Sequence, residues 1–84
     1  MVKIFLKYAP GQVEALGRQL AAADAAGLQA VAHKLRGSCL AIGALRVAEL
    51  CRALEAGDGE PSALYTELRG VFAEMERQLA AELG

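Results

Sequence analysis

Asp24-Ala25-Ala26-Gly27-Leu28-Gln29-Ala30-Val31-Ala32-His33-Lys34-Leu35-Arg36-Gly37-Ser38-Cys39-Leu40-Ala41-Ile42-Gly43 reads as one complete helix with its own start and stop. Leu28, Val31, Ala32, Leu35, Cys39 and Ile42 gather on one side of an α-helix. Asp24 is a good N-cap, because its carboxylate can accept an orphan N–H of the first turn. Gly43 is placed to end the helix, since glycine readily takes the left-handed backbone that closes a last turn. The pattern continues in both directions. Upstream, Leu6, Ala9, Val13, Leu16, Leu20 and Ala23 form a stripe that predicts a helix over 2–23. Pro10 within it cannot donate to the carbonyl of Leu6, so a kink is expected there. Downstream, Ala44, Val47, Ala48, Leu50, Cys51 and Leu54 predict a helix over 44–56, closed by the loop Ala56-Gly57-Asp58-Gly59. Pro61 suits a first helical turn, and Leu64, Leu68, Val71, Phe72, Met75 and Leu79 carry a last helix over 61–83.

Four amphipathic helices on short connections imply an all-α, antiparallel up-and-down four-helix bundle. The 84 residues leave room for a single domain spanning 1–84. Alanine and leucine dominate, aromatic residues make up only 5%, and no strand alternation interrupts the helical pattern. A net charge of −1 lacks the basic footprint of a protein that grips nucleic acid. Apolar runs such as Ala21-Ala22-Ala23 are far short of the roughly 18 residues that span a bilayer, so no direct membrane contact is expected. The opening Met1-Val2-Lys3-Ile4-Phe5-Leu6-Lys7 has no signal-peptide core. Cys39 and Cys51 are too few for a disulfide scaffold, and as free thiols they point to a cytoplasmic protein.

One residue stands apart from the core pattern. His33, the single histidine, falls roughly 140° around its helix from Leu28, and so points outward with Gln29, Arg36, Gly37 and Leu40. A surface histidine with no role is the simplest reading of position alone. Gly37 changes the balance. It lies one turn after His33, where glycine costs about 1 kcal/mol relative to alanine, and in so alanine-rich a chain it implies close approach of another surface. Lys34 and Arg36 lie to either side and supply positive charge. Imidazole is a good nucleophile near neutral pH, and two cations would offset the nearly two negative charges of a phosphoryl group. An exposed histidine, a gap beside it and flanking cations describe a phosphoryl acceptor that a partner can reach.

His33-Lys34-Leu35-Arg36-Gly37-Ser38, followed by Ile42-Gly43-Ala44, resembles the signature of histidine phosphotransfer (HPt) domains. Phe5-Leu6-Lys7-Tyr8-Ala9-Pro10 is similar to the family's common opening, and Val47-Ala48-Glu49-Leu50-Cys51-Arg52-Ala53-Leu54-Glu55 to its following helix. Arg36 stands where the family more often has lysine, which keeps the charge in a different geometry. The resemblance implies a phosphorelay intermediate. His33 would accept a phosphoryl group from a receiver-domain aspartate and pass it to another receiver, with Arg36 and Lys34 as electrostatic support. Gly37 would give clearance, Ser38 would pack or hydrogen-bond beneath the surface, and Gln29 and Leu40 would complete the docking face. The partners implied are response-regulator receiver domains, whose acidic pocket brings the magnesium ion, so no cofactor or metal is expected in this chain. Many members carry a further N-terminal helix, for which this chain has no room. Its short N-terminus fits a domain fused to, or excised from, a hybrid sensor histidine kinase.

Three other readings compete. A kinase dimerisation helix also exposes a histidine, but usually follows it with an acidic residue, where this chain has Lys34. No glycine-rich nucleotide segment follows either, so a phosphocarrier without ATP-binding or autokinase activity is expected rather than a true enzyme. A metal site on His33, Cys39 and Cys51 would need a fourth donor, and both cysteines lie on core faces while His33 does not. A helical interaction module that binds a partner without phosphotransfer remains the alternative function. Ile4 and Tyr8 lie roughly 160–200° from Leu6 and are expected to form an exposed apolar patch or to contact another chain.

Overall fold

The computed structural model describes residues 2–83. Four helices follow in order: α1 (Val2–Ala21), α2 (Ala25–Ile42), α3 (Leu45–Ala56) and α4 (Pro61–Leu83). No strand occurs among the described residues. Each helix packs on its two neighbours in a ring, α1 on α2, α2 on α3, α3 on α4 and α4 on α1. The contacts are those of antiparallel neighbours. Tyr65 Oη on α4 donates to the Val13 carbonyl of α1 at 3.1 Å, and two turns further along α4 Phe72 meets Phe5, with ring centroids 6.1 Å apart. Gly17 makes the first of these contacts possible, because a Cβ there would stand 2.5 Å from the Tyr65 hydroxyl.

The helix ends follow local chemistry. The Asp24 carboxylate accepts from Gly27 N–H at 2.9 Å, and Gly43 closes α2 in the left-handed region at φ 78°. Gly57 does the same for α3 at φ 75°. Two boundaries differ from the sequence expectation. The first helix stops at Ala21, because Ala23 takes a left-handed φ of 54° that breaks the ladder two residues early. Ala23 is accordingly exposed. The third helix begins at Leu45, with Ala44 as an N-cap that offers no side-chain acceptor. Pro10 sits within α1, which continues through it to Ala21.

Leu16, Leu35, Leu68, Val47, Cys39 and Cys51 are the largest fully buried side chains. Burying one leucine contributes about 1.5–3 kcal/mol, so a few such residues decide whether so small a bundle folds. Phe5 belongs to this core, whereas Leu6, which the sequence pattern favoured, lies at its edge. The two thiols are caught in the α2–α3 seam. Burial pushes Cys39 up to about 11 and Cys51 up to about 12, Cys51 also feeling the charges of Cys39 and Glu55. A thiol whose pKa is raised by folding binds its proton more tightly in the native state. Stability is therefore expected to be full below pH 9 and to fall between pH 9 and 12, by up to about 1.4 kcal/mol per pH unit for each thiol. Urea titrations across that range should show the loss, and Cys39→Ala with Cys51→Ala should flatten it.

Candidate functional site

α2 carries His33 at its middle, about two turns from either capped end, so the ring stands within a regular helix rather than on a loop. The side chain is 72% exposed, and its Nδ1 lies 2.9 Å from Oε1 of Glu55 on α3. A carboxylate only accepts hydrogen bonds, so this contact places a proton on Nδ1. The lone pair of the neutral ring is then on Nε2. Glu55 Oε2 is buried without a hydrogen-bond partner, and Arg36 Nη1 faces it at 3.9 Å, an ion pair by distance but not a hydrogen bond.

Glu55 has no reason of its own to be where it is. It stands one residue from the end of α3, where the helix dipole disfavours a carboxylate. His33 and Arg36 offset that cost from the neighbouring helix. Sequence spacing alone gives Glu55 no role beyond its place in α3. An acidic residue in a last helical turn was the available signal.

Beside this trio a second network occupies α3. Arg52 grips Glu49 through Nε at 2.9 Å and Nη2 at 2.8 Å, and reaches Asp58 Oδ2 through Nη1 at 3.0 Å. The Arg52 hydrogen bond holds the Glu49 carboxyl below its usual range, with a smaller pull from the charge of Arg36. Arg52 is thus committed to its own carboxylates, and Arg36 is the cation that shares Glu55 with His33.

The remaining residues of the expected site divide around α2. Gln29, Arg36 and Leu40 lie within about 60° of His33, on the flank that faces α3. Leu40 and Gln29 are exposed. Gly37 lies on the outermost line of the helix, and a Cβ added there would meet nothing within 4 Å. Its absence of a side chain therefore serves no packing inside the bundle. Lys34 and Ser38 lie on the other flank, towards α1. The Ser38 hydroxyl donates to the Lys34 carbonyl at 3.3 Å, and Ser38 lines a groove with residues of α1. Cys39 and Cys51 are both buried in the core while His33 points outward, so these three side chains do not converge.

On the outer face of this four-helix bundle stands one exposed imidazole, held through Nδ1 by a carboxylate of the neighbouring helix. The family model described as the Hpt domain matches residues 1–83, and the chain belongs to that family. Hpt domains carry out histidine phosphotransfer in phosphorelays and interact there with receiver domains. Searches of curated proteins and of solved structures returned no match. No helix among the described residues is long and apolar enough to cross a membrane.

Proposed function

We propose that His33 is the phosphoryl carrier of a cytoplasmic phosphorelay, accepting from the aspartyl phosphate of one receiver domain and donating to the aspartate of another. The observation that carries this reading is the Nδ1–Glu55 contact on a ring otherwise open to solvent. In the accepting step the Nε2 lone pair attacks phosphorus in line with the aspartyl oxygen. The N–P bond forms as the P–O bond breaks, and the donor aspartate leaves as a carboxylate. No proton has to move, because Nδ1 keeps its own and the phosphorylated ring becomes cationic. Glu55 stabilises that positive charge, as a carboxylate does for an imidazolium in hydrolytic triads. Arg36 is near enough to turn from Glu55 to the phosphoryl oxygens, a charge-assisted contact. Donation is the same step reversed on the second receiver. In this reading magnesium comes with the receiver's acidic pocket.

The test is transfer of label from receiver domains of the source genome, charged with acetyl phosphate, to this protein. Glu55→Ala should slow acceptance by about tenfold to a hundredfold, the usual loss when a group that orients a reacting side chain is removed. Glu55→Gln keeps an acceptor for Nδ1–H and loses the charge, so it should fall between Glu55→Ala and the parent. Equal rates in all three proteins would show that the carboxylate plays no part. Nitrogen NMR of the ring should report the Nδ1–H tautomer in the parent and a mixture in Glu55→Ala.

A further inference from the structure

We infer that Arg52, which hydrogen-bonds to neither His33 nor Glu55, is a positioning residue: by gripping Glu49 it keeps that carboxylate from drawing Arg36 away from the phosphoryl site. This rests on the phosphocarrier reading above. α2 and α3 pack as antiparallel neighbours, and His33 on the first faces Glu55 on the second. Three residues further along α2 and three back along α3, the same register sets Arg36 opposite Arg52. Two guanidinium groups thus face each other across the seam, and each needs a carboxylate to offset the other. Glu49 and Glu55 stand one turn to either side of Arg52 on α3. Arg36 therefore has a carboxylate to turn to in each direction.

Arg52 decides between them. It takes Glu49 through Nε at 2.9 Å and Nη2 at 2.8 Å, neighbouring donors of one planar group. Its Nη1 donates to Asp58 Oδ2 at 3.0 Å. Asp58 is itself fixed, since its N–H donates to the Ala53 carbonyl at 2.9 Å where Gly57 turns the chain out of α3. Arg52 is thereby anchored to α3 and its following loop. Arg36 is left with Glu55 alone among the described residues, at 3.9 Å and without a hydrogen bond. So loose a pair leaves its guanidinium free to turn to a phosphoryl group on His33. Glu49 still feels it, because the charge of Arg36 adds to the pull that holds the Glu49 carboxyl low.

Without Arg52 the balance changes. Glu49 keeps its charge and loses its hydrogen-bonded cation, and the cation facing it across the seam is Arg36. The two carboxylates are six residues apart on α3, about 9 Å along the helix axis. His33 stands opposite Glu55, so a guanidinium drawn to Glu49 is drawn off the phosphoryl oxygens. The network contributes little to the fold. The side chains of Glu49, Arg52 and Asp58 are 63%, 39% and 63% exposed, and ion pairs at such exposure add little stability. Their interlocking beside the one histidine of the chain is better explained by what it does to Arg36.

The experiment measures phosphorylation of His33 by phosphoramidate, a small donor that needs no docking, beside transfer from the charged receivers described above. Arg52→Ala changes a surface side chain and should melt close to the parent. Its labelling by phosphoramidate should fall by about threefold to tenfold, the coupling usual within one ion-pair network. Arg52→Ala combined with Glu49→Gln removes the competing carboxylate together with the residue that holds it, and should label at the parental rate. In an Arg36→Ala background, itself slower, Arg52→Ala should change nothing further. Parental labelling of the single Arg52→Ala protein overturns this inference and leaves the carrier reading standing. So does a loss that Glu49→Gln fails to rescue, which would mean that Arg52 meets the phosphoryl group itself or supports the helix. A loss of equal size in the Arg36→Ala background overturns it as well, as a plain effect of charge. A parent protein that no receiver labels overturns the carrier reading, and this inference with it.

Discussion

His33→Gln is expected to leave the bundle folded and to remove phosphoryl acceptance completely. The side chain is 72% exposed and reaches Glu55 across the seam through Nδ1, so little packing is lost. Substitutions on such a surface change stability by about 0.5 kcal/mol, and glutamine can still donate to the carboxylate. Thermal unfolding should therefore be close to that of the parent. The chemistry has no substitute. His33 is the only histidine in the chain, and both cysteine thiols are buried with pKa values pushed up to about 11 and 12. A protonated, inaccessible thiol is no nucleophile at neutral pH. Label from charged receivers, and label from phosphoramidate, should both vanish. In the parent the bound phosphoryl group should be lost in acid and kept in base, as expected of an N–P bond. Transfer that survives in a folded His33→Gln protein would remove the basis for every functional statement made above.

What the sequence disclosed, and what it did not, divides by distance along the chain. Asp24 and Gly43 were legible as caps because a cap acts on its own first or last turn, and each does so in the structure; Gly57, legible only as part of a loop, proves to be a cap as well. The exposure of Ile4 and Tyr8 followed from helical phase alone. Phase was less decisive between Phe5 and Leu6. Both border the stripe of a helix that packs on two neighbours, and only Phe72, 67 positions away, favours the first. Glu55 was out of reach for the same reason, since its meeting with His33 depends on the register of α3 against α2. Lys34 was read as flanking His33 because it is adjacent in sequence. On a helix adjacency means about 100° of rotation, and it turns Lys34 towards α1 while Arg36 turns towards α3.

Gly37 should show folding and function pulling in opposite directions. A Cβ at this position meets open space, so alanine enters without any internal clash. It also removes a helix-interior glycine, which should stabilise the domain by up to about 1 kcal/mol and raise Tm by about 4–8 °C. Glutamine, another good helix former on the same open line of α2, should be at least as stable as the parent. Transfer should respond the other way. The receiver aspartate must come within reacting distance of Nε2 along the surface that Gly37 leaves bare. A glutamine side chain standing there lifts the partner away. A misplacement of about 1 Å in a reacting pair can cost about a hundredfold in rate. Gly37→Gln is therefore expected to slow acceptance from charged receivers by about that factor, with Gly37→Ala between it and the parent. Phosphoramidate separates the possible causes, because so small a donor passes beside the glutamine and should label His33 at the parental rate. A variant slowed towards both donors would have disturbed His33 or Glu55 rather than the approach of a partner. A variant slowed towards neither would mean that the receiver does not pass over Gly37 at all, and that the glycine has no part in docking.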